Sequence, residues 1–478
     1  MVHAIPVDCG RTGGYPGSAV PEVKITGISF RILTTLRKDH DGTATAHNLV
    51  RSVGTEESTV TLLVRPRRAT RLSVSCAVLG LLGTLVMSIL VAHTHGFHPW
   101  TFAGRYTYVF RDLMGRVTNL QTLRRTGNIY VPFGVEAFTY PPGAILMFWP
   151  LVWLPVSTIP FLWTWLSILC LAASLALCLN HLTPRHWTTN FALGCALALA
   201  SIMVLPLEVE CLIWGQTATI LLLFVVLDSL AVKGRGRGIF VGLATAFKIY
   251  PVVFIIVWLW RRQYREAITA VVTASVTTGI AWILWPTSFS TFVRVLIIGH
   301  EEFGRFANGG AATYASSSVT SFFMRVPFHI GLLNWAWDGV FSALVIALGL
   351  CAAQRLWKMD CEISSMVCVL YASILGSPVA WDHYFAFAPL LVLVIREVGV
   401  RSWLGRSSLL ALAVFCVPWL FFHNSLETST YLAIRDFVAR NAFLLTSLTV
   451  LASVFATSRQ SVQERFGPVE RWRRKALR

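Results

Sequence analysis

The stretch FTYPPGAILMFWPLVWLPVS, residues Phe138–Ser157, is apolar enough for a membrane interior, yet it contains four prolines. Proline has no backbone N–H and clashes with the preceding turn, so it suits a helix start and interrupts a helix interior. Pro141 and Pro142 fit an extended approach followed by a helix start, whereas Pro150 and Pro155 interrupt the helix after that start. The stretch therefore predicts a short, broken helix that turns back, and not a single crossing of a bilayer.

The composition of the rest of the chain places this stretch in a membrane protein. The 478 residues are 55% hydrophobic and 13% charged, with a mean hydropathy of +0.63. A soluble domain usually has about 25% charged residues. Apolar runs of about 20 residues, the length that crosses ~30 Å of hydrocarbon, recur along most of the chain. The predicted fold class is all-α, a polytopic helical membrane protein.

Basic residues orient the predicted crossings. Arg65–Arg68 precede the first apolar run, and further basic clusters recur up to the C-terminal ERWRRKALR. Because Lys and Arg concentrate on the cytoplasmic side, both termini are predicted to be cytoplasmic. About ten full crossings are predicted on this basis: 72–92, 160–180, 188–207, 216–232, 265–284, 335–355, 362–380, 384–396, 407–422 and 440–457.

Two apolar segments, 142–156 and 238–260, do not fit this series as single crossings. Each would invert all later loops, so each is predicted to be a re-entrant or broken helix buried in protein. The alternative is that both segments cross and that the two inversions cancel after residue 260.

The pattern predicts three regions. Residues 1–71 are polar and form a mostly disordered cytoplasmic tail. Residues 72–457 form the transmembrane domain, and 458–478 form a basic cytoplasmic tail. The ten cysteines contain no C-x-x-C pair, so they suggest neither a zinc site nor a disulfide framework.

The predicted outer loop 93–141 contradicts the charge rule because it carries five arginines: Arg105, Arg111, Arg116, Arg124 and Arg125. One interpretation is an anionic ligand such as a phosphate, since guanidinium groups pair well with phosphate oxygens. The other is contact with anionic lipid headgroups, or an amphipathic helix on the membrane surface. The sequence leaves both open.

Several acidic residues are predicted at the same outer face. They are Asp112, Glu208, Glu210 and Asp382, the last followed by His383. Taken singly, each fits a helix cap or a salt bridge; together they fit a functional site at the membrane surface. A carboxylate can deprotonate a hydroxyl, and a His or Arg can offset charge on a leaving phosphate. Sugar transfer from a lipid phosphate needs both.

Four motifs occur in a family-specific order: FTYPP at 138–142, Gly215–Gln216, GLATAFKIYP at 242–251 and SPVAWDHY at 377–384. With the predicted topology, they resemble the polyprenol-phosphate-mannose-dependent α-(1→2) mannosyltransferases of glycosyltransferase family 87, in the GT-C superfamily, over roughly residues 72–457. The resemblance implies a helical membrane core and an extracytoplasmic active site. It also implies a polyprenyl-phosphate sugar donor, inversion at the sugar carbon and an Asp base in the first outer loop.

The chain departs from the family pattern at that base. Tyr106 stands where the family's D-x-x-V-Y-like motif has Asp, so the base is assigned to Asp112, the only Asp of the loop, with Glu210 as the alternative. The resemblance places His383 near the donor phosphate and matches Lys248 to a K-x-x-P break. The predicted topology puts Lys248 on the inner side, far from the chemistry, where snorkelling to headgroups is an equal interpretation.

The sequence therefore predicts an integral membrane glycosyltransferase that moves a hexose, mannose by resemblance, from polyprenyl phosphate to a glycolipid or cell-envelope glycan at the outer face of the cell membrane. The alternatives are a lipid-linked-sugar flippase, or the same chemistry with another sugar such as arabinofuranose. No cofactor or nucleic acid is expected. No metal is expected either, since the two acidic residues of LEVE cannot fill an octahedral metal shell. The remaining predicted site residues are Arg105 and Arg111 at the donor phosphate, with Tyr140, Pro141, Pro142, Gln216 and Asp382 along a substrate groove.

Overall fold

The computed structural model describes residues 34–38, 44–48, 110–130, 138–184, 186–297, 316–325, 333–417 and 430–463. The chain divides into two units, 1–70 and 71–478. In the first unit, strands β1 (Thr34–Lys38) and β2 (Ala44–Asn48) pair antiparallel, within the segment predicted to be a tail. The predicted crossing at 72–92, and Arg105 with Tyr106, lie outside the described residues.

The described part of the second unit is helical, which agrees with the predicted fold class. Its α-helices are α1 (Arg111–Thr126), α2 (Gly143–Phe148), α3 (Ile159–Leu182), α4 (Trp187–Val204), α5 (Pro206–Ile213), α6 (Ala218–Val226), α7 (Ile239–Phe247), α8 (Val252–Trp260), α9 (Tyr264–Leu284), α10 (Pro286–Ile297), α11 (Val319–Arg325), α12 (Leu333–Lys358), α13 (Glu362–Leu375), α14 (Leu390–Val398), α15 (Trp403–Phe415), α16 (Thr430–Ala456) and α17 (Arg459–Gln463).

Four of these helices are long and apolar enough to cross a membrane: α3, α4, α9 and residues 337–358 of α12. They coincide with the crossings predicted at 160–180, 188–207, 265–284 and 335–355. A fifth span arises if α5 and the stretch 218–231, which are bent by 109° at their junction, count as one. The count holds for the described residues, so the total of about ten crossings stays a prediction.

The proline-rich stretch is short and broken, as its sequence predicts. Pro141 and Pro142 lead into α2, where their carbonyls accept bonds from Ala144 N and Ile145 N, both at 3.0 Å. A 3₁₀ turn, Trp149–Trp153, comes next, with Pro150 near its start. The helical part, 143–153, is 11 residues long. At 1.5 Å per residue this reaches about 16 Å, roughly half of the hydrocarbon thickness.

The second broken segment, 238–260, begins and ends beside the same end of α9. At its start, a Cβ on Gly238 would lie 2.4 Å from Glu266 O, and one on Gly242 would lie 2.5 Å from Ala270 O. At its end, α8 stops at Trp260, just before α9 begins at Tyr264. The chain therefore enters through α7, turns at 248–251 and returns through α8, which is the geometry of a re-entrant segment.

Several tryptophans lie close together where α9 ends and where the 3₁₀ turn follows α2. The ring of Trp149 lies 5.0 Å from that of Trp285 and 6.0 Å from that of Trp153. Trp153 and Trp282 are strongly exposed on the protein surface. Beneath them, an apolar cluster that includes Leu113, Ile145 and Phe148 packs α1, α2, α6 and α7 together.

Candidate functional site

Helix α1 carries an acidic residue, Asp112, and a basic residue, Arg116, one helical turn apart. Its first residue comes after Phe110, which has a left-handed backbone (φ 58°) and donates its N–H to Ile213 O at 2.6 Å. This bond holds the start of α1 against the end of α5. Asp112 lies in the first turn, where the helix dipole favours a negative charge. The Asp112 side chain is 42% exposed, whereas that of Arg116 is 7% exposed.

Arg116 and Asp112 meet at the break between α5 and α6. Arg116 Nη1 donates to Gly215 O at 2.8 Å, and Nη2 donates to Gln216 Oε1 at 3.2 Å. Gln216 Nε2 in turn donates to Asp112 Oδ2, and Arg116 Nη2 lies 3.7 Å from the same oxygen. The three side chains form a closed network in which Asp112 is the exposed member.

Gly215 is required where this network closes. Its φ of 64° is in the left-handed region, which costs other residues free energy. A Cβ there would also lie 2.6 Å from the Cβ of Leu113 in α1. The absence of a side chain lets the helix break approach α1 closely enough for Arg116 to reach its carbonyl.

Tyr140 joins α1 to the turn of the re-entrant segment. Its ring lies 4.9 Å from Arg116 Cζ and 5.3 Å from Lys248 Nζ. Lys248 Nζ also lies 3.6 Å from the ring centre of Tyr384. Tyr130 fixes the backbone nearby by donating its hydroxyl to Tyr140 O at 2.7 Å. Two cations from distant parts of the chain thus approach one aromatic ring.

The expected separation of Lys248 from the other candidate site residues is wrong, because its ammonium lies beside the rings of Tyr140 and Tyr384. Because 238–260 returns on itself, the turn that carries Lys248 points away from the basic residues Arg261 and Arg262 and reaches Tyr140. Burial lowers the pKa of the Lys248 ammonium well below its ordinary value, and the charge of Arg116 lowers it further. Among the residues that the structure describes, no carboxylate lies within ion-pair distance of Lys248.

His383 completes the group from a 3₁₀ turn, Asp382–Phe385, before α14. Its imidazole lies 5.0 Å from the ring of Tyr384 and stacks at 6.4 Å on that of Trp381. Burial lowers the pKa of His383 well below its ordinary value, and the charges of Lys248 and Arg116 lower it further. His383 is therefore a neutral hydrogen-bonding group near neutral pH, and positive charge must come from its neighbours.

These residues are called the Asp112 cluster below: Asp112, Arg116, Tyr140, Gln216, Lys248, His383 and Tyr384. Asp382 points toward a serine-rich segment, where Ser317 Oγ donates to Asp382 Oδ1 at 3.3 Å. Pro141 is partly exposed and Pro142 is buried. Arg111 is partly buried at the start of α1, directly before Asp112. In the described regions, no hydrogen bond or ion pair joins Glu210 to the cluster.

Sequence reasoning missed two members of the cluster. Arg116 was counted among the five loop arginines, although its i+4 spacing from Asp112 on one helix face was a usable signal. Tyr384 stood inside the quoted SPVAWDHY motif without a role. Within the described ranges, no three His, Cys, Asp or Glu side chains come together in a way that could hold a metal ion.

The arrangement combines two chemical capacities. Asp112 offers a partly exposed carboxylate that can accept a proton. Behind it, Arg116, Lys248 and His383 supply hydrogen-bond donors and positive charge in a desolvated setting, where electrostatic interactions are strong. Such a site suits a reaction in which a hydroxyl is deprotonated and attacks while an anionic leaving group departs.

Comparison with known proteins gives a consistent result. The model of glycosyltransferase family 87 matches residues 138–378, just over half of the chain. This range contains Tyr140, Gln216 and Lys248, while Asp112 and His383 lie outside it.

Two relatives come from Mycobacterium tuberculosis. A polyprenol-phosphate-mannose-dependent alpha-(1-2)-phosphatidylinositol mannoside mannosyltransferase is 28% identical over 297 residues, covering 59% of this chain and 67% of that protein. A polyprenol-phosphate-mannose-dependent alpha-(1-2)-phosphatidylinositol pentamannoside mannosyltransferase is 24% identical over 347 residues, covering 67% of this chain and 75% of the relative. With the family model matched over more than half of its length, and with membrane-length apolar helices around the cluster, the chain belongs to glycosyltransferase family 87.

Proposed function

We propose that this membrane glycosyltransferase moves mannose from a polyprenyl-phosphate donor to a hydroxyl of a phosphatidylinositol mannoside or a related mannosylated lipid. The observation that carries the proposal is the Asp112 cluster, where a partly exposed carboxylate lies near the buried Arg116 and the partly buried Lys248. The relatives' names support the donor and the class of acceptor.

In the proposed reaction, Asp112 accepts the proton of the acceptor hydroxyl. The acceptor oxygen then bonds to C1 of mannose, the bond between C1 and the phosphate oxygen breaks, and polyprenyl phosphate leaves. The configuration at C1 inverts because the attack comes from the side opposite the leaving group. A general base of this kind contributes about 10²–10⁴-fold to the rate.

Arg116, Lys248 and His383 bind the leaving phosphate in this proposal. Lys248 is a costly cation without a bound anion, since burial and Arg116 both disfavour its charge. A phosphate between Arg116 and Lys248 would offset both charges, and neutral His383 would donate one hydrogen bond. Arg111, partly buried at the start of α1, is proposed for the same role, and Arg105 is proposed for it from the sequence alone.

In the proposal, the substrates bind in a groove around Asp112. Tyr140, Pro141, Pro142 and Asp382 form the walls of the groove around Asp112, with Gln216 behind it. Glu210 remains the alternative base. We place the groove at the outer side of a membrane domain of about ten crossings, with both termini in the cytoplasm. In support, the re-entrant segment begins and ends beside the basic residues of 261–265, and its turn reaches the cluster.

The test is mass spectrometry of the product that the purified protein makes from defined polyprenyl-phosphate sugars and a short mannoside acceptor. Polyprenyl-phosphate mannose should yield a mannoside one hexose longer, with an α-(1→2) bond. Transfer of arabinofuranose alone would contradict the donor assignment. In reconstituted vesicles, movement of a labelled lipid-linked sugar without a new glycosidic bond would replace the enzyme with a flippase.

A further inference from the structure

Gln216, in the break between α5 and α6, is held by hydrogen bonds at four atoms. Its backbone N donates to Cys211 O at 2.8 Å, and its backbone O accepts from Trp163 Nε1 at 3.1 Å. Its side-chain Oε1 accepts from Arg116 Nη2 at 3.2 Å, and its Nε2 donates to Asp112 Oδ2. The residue is 2% exposed.

The two side-chain bonds admit only one orientation of the amide. A guanidinium group can only donate hydrogen bonds, and an ionised carboxylate can only accept them. Arg116 therefore faces the amide oxygen of Gln216, and Asp112 faces the amide nitrogen. Arg116 is itself held by Gly215 O at 2.8 Å, so the orientation of Gln216 is determined on both sides.

We infer that Gln216 is a positioning residue that holds Oδ2 of Asp112 through its amide N–H and thereby leaves Oδ1 as the atom that accepts the proton from the acceptor hydroxyl. This inference rests on the proposed function and deepens it. Arg116 acts on Asp112 largely through Gln216, since the direct separation of Arg116 Nη2 and Asp112 Oδ2 is 3.7 Å. A base must be held in its productive geometry by its neighbours to be efficient.

The first test compares Gln216→Met with Gln354→Met in the product assay. Gln354 is a matched control because its Oε1 also accepts from an arginine, Arg261 Nε at 3.3 Å, in another part of the chain. Gln216→Met should lower kcat about 10–100-fold, as expected for loss of an aligned charge-assisted hydrogen bond. The KM for the donor should change little, and Gln354→Met should keep wild-type kinetics.

The second variant, Gln216→Glu, keeps an acceptor for Arg116 and replaces the neutral donor to Asp112 with a carboxyl group. A glutamate can donate to Asp112 only while the two carboxyl groups share a proton. The Gln216→Glu variant should therefore keep its activity at acidic pH. Its activity should fall as pH rises, because the pair of carboxyl groups then loses the shared proton. The wild type should lack this fall. A merely structural role would lower the yield of folded protein and leave the shape of the pH profile unchanged.

A measurement independent of turnover separates this inference from the proposed function. Carbodiimide reacts with protonated carboxyl groups, and Asp112 is exposed enough for labelling that is mapped by mass spectrometry of peptides. Gln216→Met should increase the labelling of Asp112, because the amide group that covers Oδ2 is lost. An unchanged labelling profile together with unchanged kcat would overturn the role of Gln216. If wild-type protein makes no mannoside but the labelling shifts, the proposed function fails and the contact stands.

Discussion

Gly143, at the start of α2, lies directly against Ala246, in the last turn of α7, where a Cβ on Gly143 would lie 2.8 Å from the Ala246 carbonyl oxygen. Tyr140 comes three residues before this contact, and Lys248 comes two residues after it. The close approach of the two backbones therefore sets the distance between the Tyr140 ring and the Lys248 ammonium.

Gly143→Ala should weaken both the fold and the site. The new methyl group meets backbone, which cannot move aside as a flexible side chain can, and overpacking of this kind costs about 1–3 kcal/mol. We expect a lower thermal unfolding midpoint in detergent and a lower rate of transfer. Gly279→Ala in α9 is the control, since a Cβ there meets nothing within 4 Å and alanine favours the helix. Equal midpoints for the two variants would contradict the packing argument.

Asp112→Asn should abolish transfer and leave the protein folded. The amide cannot accept the hydroxyl proton, so the rate should fall about 10²–10⁴-fold. Asp360→Asn is the control and should keep the wild-type rate, because Asp360 has a left-handed backbone that asparagine also tolerates. Rates are measured by product formation at saturating donor. Full activity of Asp112→Asn would remove Asp112 from the mechanism and direct attention to Glu210.

Lys248→Met should separate binding from stability. Loss of a charge-assisted contact to the donor phosphate should raise the KM for the donor about 10–100-fold. The unfolding midpoint of the substrate-free protein should stay the same or rise, because burial of the ammonium is unfavourable. Lys233→Met, at an exposed position, is the matched control. A drop in stability with no change in KM would show that Lys248 is purely structural.

The variant Arg116→Lys should be less stable and less active than the wild type. The guanidinium donates to Gly215 O and Gln216 Oε1 together, whereas an ammonium cannot reproduce that planar fork. An acceptor left unpaired in the interior costs about 1–3 kcal/mol, so the unfolding midpoint and kcat should both fall. Arg124→Lys, exposed on the same helix, should match the wild type in both measurements. Wild-type behaviour of Arg116→Lys would contradict the network.

The stability of the substrate-free protein should fall on acidification because of His383. Its folded-state pKa is lowered, so below about 6.5 the unfolded chain binds a proton that the folded chain does not. The contribution is fully present above that pH and is lost as pH falls toward the folded-state pKa, by up to about 1.4 kcal/mol per pH unit. Unfolding midpoints measured from about pH 7.5 to 5 should be flatter for His383→Gln. His186→Gln, at an exposed position, should keep the wild-type slope.

Local sequence features predicted the helices well. The four membrane-length helices arise from apolar runs, and the broken character of 142–156 and 238–260 arises from proline and charge placement. Hydropathy and positive charge are properties of runs of consecutive residues, so they can be evaluated from the sequence without knowledge of the fold.

The contacts of the site lay beyond such reasoning. Gln216 and Asp112 are 104 positions apart, and Arg116 and Gly215 are 99 apart. Their meeting depends on a sharp helix break pressed against α1. The position of Lys248 was mispredicted for a similar reason, since a count of charges says where a re-entrant segment begins and ends but not how far its turn reaches.

We expect the tryptophans at the end of α9 to favour one depth of the protein in its membrane. Indole rings favour the level of the lipid headgroups, and Trp149 and Trp153 continue directly from the helix that begins at Gly143. We therefore expect the height of the cluster relative to the headgroups to depend partly on the lipid. A thicker or thinner bilayer should displace these side chains, so we expect lipid composition to change how readily the proposed acceptor hydroxyl meets Asp112.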